Sequence, residues 1–287
     1  MNILLLRTKK GIRYAKKIRD ALRTRGANCR ISDIHGVDAK LEKHGFTPEN
    51  TFIHPRTAGI FTNKKIAELE GRGFRVLNSS QALTLTNQKY LSQQHAEAHG
   101  IPVAKTHKIK KSDLKGIAEL LEQYGHIVAK PIYSQGQGIY CHKISSDTPV
   151  GDWGSIMASI PGEEIQIQAW IDYQKLIRVI VIDFKALKEA TTYDEPTNHW
   201  KCSVCLNPNI KHYTEASPAL FELAEKTAKA FDAHVNYIDF FEDRQGNFIL
   251  NEINTACSLI LHEEVTGVAI HEHIAEALIH ETRRISK

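Results

Sequence analysis

The chain has 287 residues, of which 42% are hydrophobic and 24% charged, with a formal net charge of +4; that is the profile of an ordinary globular protein with room for two or three compact units. No apolar run approaches the ~20 residues a membrane helix needs, and residues 1–6 are too short for a secretory core, so no membrane partner is expected and the location is read as cytoplasmic. Five cysteines, at positions 29, 141, 202, 205 and 257, are odd in number and lack the spacing of a secreted disulfide framework.

Charge is unevenly spread: residues 1–75 carry 17 Lys+Arg against 7 Asp+Glu, leaving 20 against 26 for the rest. A basic first third suggests an anionic partner, either nucleic acid or a polyanionic small molecule. The plainer reading is a solvated helix face, since Lys9, Lys10, Arg13, Lys16, Lys17 and Arg19 recur on one predicted helix. No interleaving of aromatic and basic residues supports nucleic-acid binding.

In chain order, 2–6 is a short apolar strand and 11–24 a helix, with Ile12, Ala15, Ile18 and Leu22 at helical spacing. Strands follow at 28–33, 51–54 and 74–77, with a helix over 63–69. Strands separated by helices imply a parallel sheet covered by helices. A long helical stretch over 81–100, broken near Thr86, stops at Gly100-Ile101-Pro102. Next come a strand at 103–109, a helix over 112–124 capped by Ser112, strands at 126–131 and 139–143 around a glycine-bearing loop at 134–138, and a connection over 144–162 rich in Ser, Gly, Pro and Asp. The last third reads as strands at 164–171, 176–185 and 198–206, a helix over 217–233, a hairpin of 235–241 and 247–254 turning through Gly246, and a final helix over 271–284.

The hairpin carries the sharpest chemistry. A turn centred on 244–247 brings Asp239 opposite Glu252, and Glu252 and Asn254, two apart on a strand, project to one side. Two carboxylates and an amide oxygen are hard ligands suited to Mg²⁺. Without a cation, facing carboxylates repel and one would hold a proton. Scattered acids on a solvated hairpin are the competing reading, disfavoured because polar residues inside an apolar strand need partners. A second feature is Lys130, ending an apolar strand and followed within four residues by Ser134-Gln135-Gly136-Gln137-Gly138. Glycines let backbone N–H groups approach phosphate oxygens, with a lysine charge beside them. Neither the P-loop nor the dinucleotide fingerprint fits it.

Order and spacing then matter. Lys89 lies in Asn87-Gln88-Lys89-Tyr90, Lys130 follows 41 residues on, Arg178 sits in Leu176-Ile177-Arg178-Val179, and Asn251-Glu252-Ile253-Asn254-Thr255 and Thr266-Gly267-Val268 close the chain. With His54-Pro55-Arg56-Thr57-Ala58-Gly59 and Gly100-Ile101-Pro102-Val103, this series resembles the ATP-grasp superfamily. Within it the chain is similar to the ligases that add glutamate to ribosomal protein tails, to the amino-group carrier protein of lysine biosynthesis, or to tetrahydromethanopterin. The resemblance covers nearly the whole chain. It implies an α/β (α+β) ATP-grasp fold: an N-terminal parallel-sheet α/β domain over 1–88, a small subdomain with the glycine loop over 89–162, and a C-terminal subdomain with the metal site over 163–287, the last two sandwiching ATP.

The resemblance also implies roles. Lys89 and Lys130 contact nucleotide phosphates; Ser134, Gln135, Gly136 and Gly138 belong to the loop that closes over them; Gln168, Ala169 and Trp170 form the hinge strand that meets adenine. Asp239, Glu252 and Asn254 hold Mg²⁺ (or Mn²⁺), Arg178 faces the γ-phosphate and acyl phosphate, and Arg56 and Lys188 bring positive charge to the acceptor. The implied partners are ATP, a carboxylate substrate and an amine, with an amino acid as the expected amine; a dimer or tetramer is compatible with the family. Three departures stand out: Leu176 where an aspartate is usual, Ser203 in an asparagine's place without the usual glycine pair, and an Asp239–Glu252 interval one residue longer than usual. An ATP-sensing scaffold that has lost catalysis is the alternative that the changes at Leu176 and Ser203 raise; a carboxylase or acyl-CoA ligase is disfavoured, since no biotin- or CoA-binding segment is present. Cys202 and Cys205, with His199 or His212, are a weak zinc candidate and read better as small strand residues.

Overall fold

The structure, a computed structural model, describes residues 2–8, 12–133, 138–193, 200–201 and 209–284. Chain order begins with β1 (Asn2–Arg7), α1 (Ile12–Thr24), β2 (Asn28–Asp33), α2 (Val37–His44), β3 (Thr51–Pro55), α3 (Ile60–Gly71) and β4 (Arg75–Val76). The four strands form a parallel sheet in the order β2-β1-β3-β4. The uninterrupted apolar run of β1 follows from cover on both faces: Ile3 and Leu5 pack with α1, and Leu4 and Leu6 with Val37, Leu41, Ile66 and Leu69. Helix α2, not foreseen, buries only Val37 and Leu41, too little to leave a period in the sequence. Several basic residues of this third are engaged internally. Lys17 bonds Glu263 at 2.6 Å, Arg25 pairs with Glu272 and Glu276, and Lys65 and Arg72 both reach Asp38 at 2.6 Å.

The stretch expected as one broken helix is α4 (Ser80–Asn87) and α5 (Lys89–Ala98). The break falls at Gln88, whose backbone is extended at φ −98°, ψ 101°. Then come β5 (Thr106–Lys110), α6 (Leu114–Tyr124), β6 (His126–Pro131), β7 (His142–Ser145), α7 (Val150–Ser159) and β8 (Glu164–Ala169), whose strands form an antiparallel sheet in the order β5-β8-β6-β7. Asp113, not Ser112, caps α6 by accepting from the Gly116 amide at 2.9 Å. Helix α7 corrects the expectation of a bare connection: Trp153 and Met157 anchor it to Ile144 and Ile160, although Gly151, Gly154 and Ser155 dilute its helical signal. Ile127, Ala129, Ile165 and Ile167 face this core; by strand alternation Lys130, Gln166 and Gln168 face the opposite way.

The remaining elements are β9 (Tyr173–Ile182), β10 (Lys185–Ala186), β11 (Ala190–Tyr193), β12 (Ile210–Tyr213), α8 (Pro218–Ala230), β13 (Val235–Asp243), β14 (Phe248–Asn254), α9 (Ile260–Thr266) and α10 (Ile270–Arg284). Their antiparallel sheet runs β12-β11-β9-β13-β14, with β10 on β9. The strand expected over 198–206 falls almost wholly outside the described residues. One sheet face, with Ile177, Val179, Ile238, Phe240 and Leu250, packs on α8 through Leu220, Phe221 and Ala224. The other joins the N-terminal sheet in a shared core of Ile180, Val235, Tyr237, Tyr14, Ile18, Ile274 and Leu278. Among the described residues no helix is long and apolar enough to cross a membrane.

Candidate active site

Asp239 is the centre of the site. On β13 it pairs across β9 with Arg178 and across β14 with Glu252, on the face turned away from α8. Burial to 2% exposure would be costly for a lone carboxylate, and Arg178 meets that cost with a two-pronged bond: Nε to Oδ1 at 2.6 Å and Nη2 to Oδ2 at 2.7 Å. Glu252 is only half-buried and is paired with Lys89 Nζ at 3.0 Å. The Asn254 amide donates to Glu252 Oε1 at 3.0 Å and leans on Asp239 Oδ2 at 3.4 Å. The three side chains named from the sequence thus lie together, with the Asn254 amide nitrogen, not its oxygen, turned to the two carboxylates. The extra residue between Asp239 and Glu252 is taken up by a β-bulge, not by the turn. Phe240 pairs with Leu250 while Asp239 pairs with Glu252, leaving Asn251 unmatched. The bulge resets the alternation, so that Leu250 and Ile253 both face α8 while Glu252 and Asn254 face the site.

The electrostatics follow from these pairs. Lys89 holds the Glu252 carboxyl well below its ordinary range, at about 2. Burial would lower the Lys89 ammonium, but Glu252 outweighs it and the net shift is upward. Asp239 is raised, because burial and the neighbouring Glu252 together outweigh Arg178.

Lys130 comes to the same cleft from the small sheet. The Gln88–Tyr133 bridge and the Lys89 amide bond to the Ile132 carbonyl, 3.1 Å, tie the start of α5 to the end of β6 and so set the two lysines near one another. Lys130 is buried, donates to Gln168 Oε1, and is pushed down to about 7 by burial and then by Lys89. Gln166, opposite Lys130 in the register, is fully buried, and among the described residues neither of its side-chain amide atoms has a partner. Buried polar atoms of that kind call for a ligand or water. On the hinge strand the Ala169 and Trp170 amides donate to the Lys105 and His126 carbonyls at 2.8 and 2.9 Å, so these two N–H groups are already engaged in the sheet. Trp170 packs against Tyr173 and Trp200 and lies under Lys143, 3.9 Å from its ring centre. Gly138 has φ 64° beside Lys201; Ser134, Gln135, Gly136, Cys202, Ser203 and Cys205 lie outside the described residues.

Arg56 reaches the site from the N-terminal sheet. It is buried between Tyr14 and Tyr237, donating to the Tyr237 hydroxyl and, at 2.6 Å, to the Cys257 carbonyl. Arg178 Nη1 lies 3.7 Å from Cys257 Sγ, so one residue separates the two guanidinium groups. Lys188 is not brought to this face. Its ammonium sits 4.8 Å from the ring of Phe221 on α8, across the sheet from Arg178, because the short β10 strand returns the chain to that side. Leu176, in the usual aspartate position, is buried with Tyr173, Tyr193 and Ile210, making an apolar wall beside Arg178. Sequence reasoning missed Tyr14, Tyr193, Tyr237, Cys257 and His262. The last is buried, bonded through Nδ1 to Thr191 Oγ1 at 2.7 Å, and lowered to about 3 by burial and then Arg178. Neither single tyrosines nor single histidines carry a spacing that would have singled them out.

Two carboxylates and an amide oxygen are a residue set that fits a hard divalent ion: Glu252 and Asn254 line a cleft with Lys89, Gln93 and Asn251, and the buried Asp239 adjoins them through Asn254. The two lysines, the orphaned Gln166 and the two arginines fit a polyphosphate and an acyl group.

A family model described as a RimK-like ATP-grasp domain matches residues 86–278. The glutamate–LysW ligase ArgX of Sulfolobus acidocaldarius is 24% identical over 209 residues, 66% of this chain and 67% of that protein. The ATP-grasp ligase PsnB, solved with a precursor variant, Mg and ADP, superposes with a TM-score of 0.73 at 16% identity over 98% of both chains. D-alanine–D-alanine ligase of Bacillus anthracis gives 0.74 at 14% identity, covering 99% of this chain and 98% of that one.

Proposed function

Because the chain belongs to the RimK-like ATP-grasp family and is an ADP-forming ligase, we propose that it joins a carboxylate to an amino acid through an acyl phosphate. The carboxylate belongs to a peptide, protein or cofactor tail, and glutamate is the favoured amine, in keeping with the named activity of the Sulfolobus relative. Residues 89–162 and 163–287 enclose ATP after an N-terminal domain of residues 1–88. Asp239, Glu252 and Asn254 hold Mg²⁺, or Mn²⁺ in its place.

The observation that carries this reading is the pairing of each site carboxylate with a cation, Asp239 with Arg178 and Glu252 with Lys89. ATP and a carboxylate are both anions, so the first need is to cancel charge as they approach. When bound, Mg²⁺ supplies charge neutralisation at the phosphate oxygens. Lys89 and Lys130 bind phosphate oxygens, and Gln166 and Gln168 supply amide contacts along the same strand face. Arg178 turns part of its fork to the transferring phosphoryl group and then to the oxyanion that forms when the amine attacks. Arg56, fixed by Tyr14 and Tyr237, faces the acceptor, while Leu176, Tyr193 and Ile210 offer its side chain an apolar wall.

Amino-acid-dependent ADP release, with acyl phosphate trapped by hydroxylamine, tests the proposal across the common amino acids with and without cell extract. Release that rises with one amino acid and yields a hydroxamate supports it. Tight ATP binding with no hydroxamate under any condition sinks it.

A further inference from the structure

We propose that Asp183, His280 and Glu281 form a second divalent-metal site, remote from the nucleotide cleft. Asp183 follows the last residue of β9, and His280 and Glu281 lie towards the end of α10. His280 Nδ1 is 3.7 Å from Asp183 Oδ2 and 3.8 Å from Glu281 Oε1, and one ligand atom from each of the three lies within 4.8 Å of the others. Asp183 is five residues beyond Arg178, about 17 Å along a strand at ~3.4 Å per residue, so the two centres do not share ligands.

The surroundings fix the first of these groups. Asp183 and Phe184 both have left-handed backbones, φ 49° and 60°, as a tight turn between paired strands requires. His234 Nδ1 sits 3.2 Å from Asp183 Oδ1, and its ring packs on Phe184 with centres 4.2 Å apart. That contact occupies one carboxylate oxygen and turns the other towards His280, the arrangement in which an outer imidazole orients a metal-bound carboxylate. Asp232 is 3.9 Å from the far side of the His234 ring, and Arg284 pairs with Glu281 Oε1 at 3.0 Å. Arg284 is the cation an incoming ion must displace or share with.

One imidazole nitrogen and two carboxylate oxygens suit an ion of borderline softness, Zn²⁺ or Co²⁺. Bonds of roughly 2.0–2.2 Å to such an ion need the two His280 spacings to shrink by a few tenths of an ångström and the Asp183 and Glu281 oxygens, within 4.8 Å of each other, to close around the ion. The His280 side chain is 61% exposed and can make that movement, leaving open positions for water. A bound ion would clamp the end of α10, which shares a core with α1 and the large sheet, to the β9–β10 turn.

The test titrates chelator-treated, full-length protein with Zn²⁺ by calorimetry and follows its melting temperature. One Zn²⁺ should bind and raise the melting temperature, as any ligand selective for the folded state does. His280→Ala, at an exposed side chain, should weaken binding at least tenfold and abolish that rise; His234→Phe should weaken it by roughly 10–100-fold. Glu252→Gln and Cys202→Ser/Cys205→Ser should leave it unchanged, which separates this site from the nucleotide cleft and from the cysteine pair. Undiminished binding in His280→Ala, or binding lost in either control, overturns the proposal whether or not the ligase reading holds.

Discussion

Removing Arg178 should separate what its pair with Asp239 does for folding from what it does for chemistry. In Arg178→Met the Asp239 carboxylate stays 2% exposed beside Glu252 and loses two bonds of 2.6 and 2.7 Å. Breaking one side of a buried pair costs about 3–5 kcal/mol, a large part of the ~5–15 kcal/mol stability of a typical domain. Replacing both partners by neutral groups of similar shape, Arg178→Met with Asp239→Asn, should return stability to within about 1 kcal/mol of the wild type, because no uncompensated charge is left. Activity should follow a different rule. The single variant lacks the guanidinium that meets the oxyanion and should lose roughly 100–1000-fold in turnover; the double variant, which also lacks the Asp239 carboxylate assigned to the metal, should lose at least as much. Urea unfolding followed by circular dichroism, beside hydroxylamine trapping of acyl phosphate, measures the two effects separately. A double variant as unstable as the single one would refute the buried-charge argument, and a double variant with wild-type turnover would remove Arg178 from the chemistry.

Lys89→Met should release Glu252 from its depressed pKa. Since the folded value, about 2, lies below the ordinary 4.5, the pair stabilises above pH 4.5 and its contribution fades as pH falls towards 2. With a third of the Glu252 side chain open to solvent, the difference from wild type should be about 1–2 kcal/mol at neutral pH and vanish in acid; a gap that persists unchanged at pH 2 contradicts the pairing. Lys130 titrates near 7 when folded against 10.5 ordinarily, so the unfolded chain holds more protons between those values and stability from this group rises with pH across that window. Nucleotide binding at pH 7 should then draw in up to about half a proton. Calorimetry in buffers of different ionisation enthalpy reads that uptake, and its survival in Lys130→Met would reject the assignment.

The main frame of the fold was legible because its signals are local and periodic. Helix α1 and the buried run of β1 announce themselves by spacing, and the Asp239–Glu252 opposition follows from one turn position. The bulge was not legible in the strand itself, since Phe248, Ile249 and Leu250 are all apolar and show no two-residue period, and only the ladder tells where the odd residue goes. Helix α7 and strands β10 and β11 were not legible, since glycines mask the first and two- to four-residue strands have no period. Lys188 was misplaced for the same reason; which face a residue meets just after a two-residue strand depends on the sheet, not on the sequence around it. Tyr237 and Cys257 meet Arg56 only through packing between residues 181 and 201 positions apart, and Tyr14 reaches it from another element of the N-terminal third, which no local pattern reports.

The most direct measurement is a crystal structure with Mg²⁺ and a non-hydrolysable ATP analogue. The ion should lie about 2.1 Å from oxygens of Asp239, Glu252 and Asn254, with the Lys89–Glu252 bond opened and both Lys89 and Lys130 on phosphate oxygens. An ion held by other side chains, or a triphosphate that leaves Lys89 on Glu252 and Arg178 wholly on Asp239, would contradict the account.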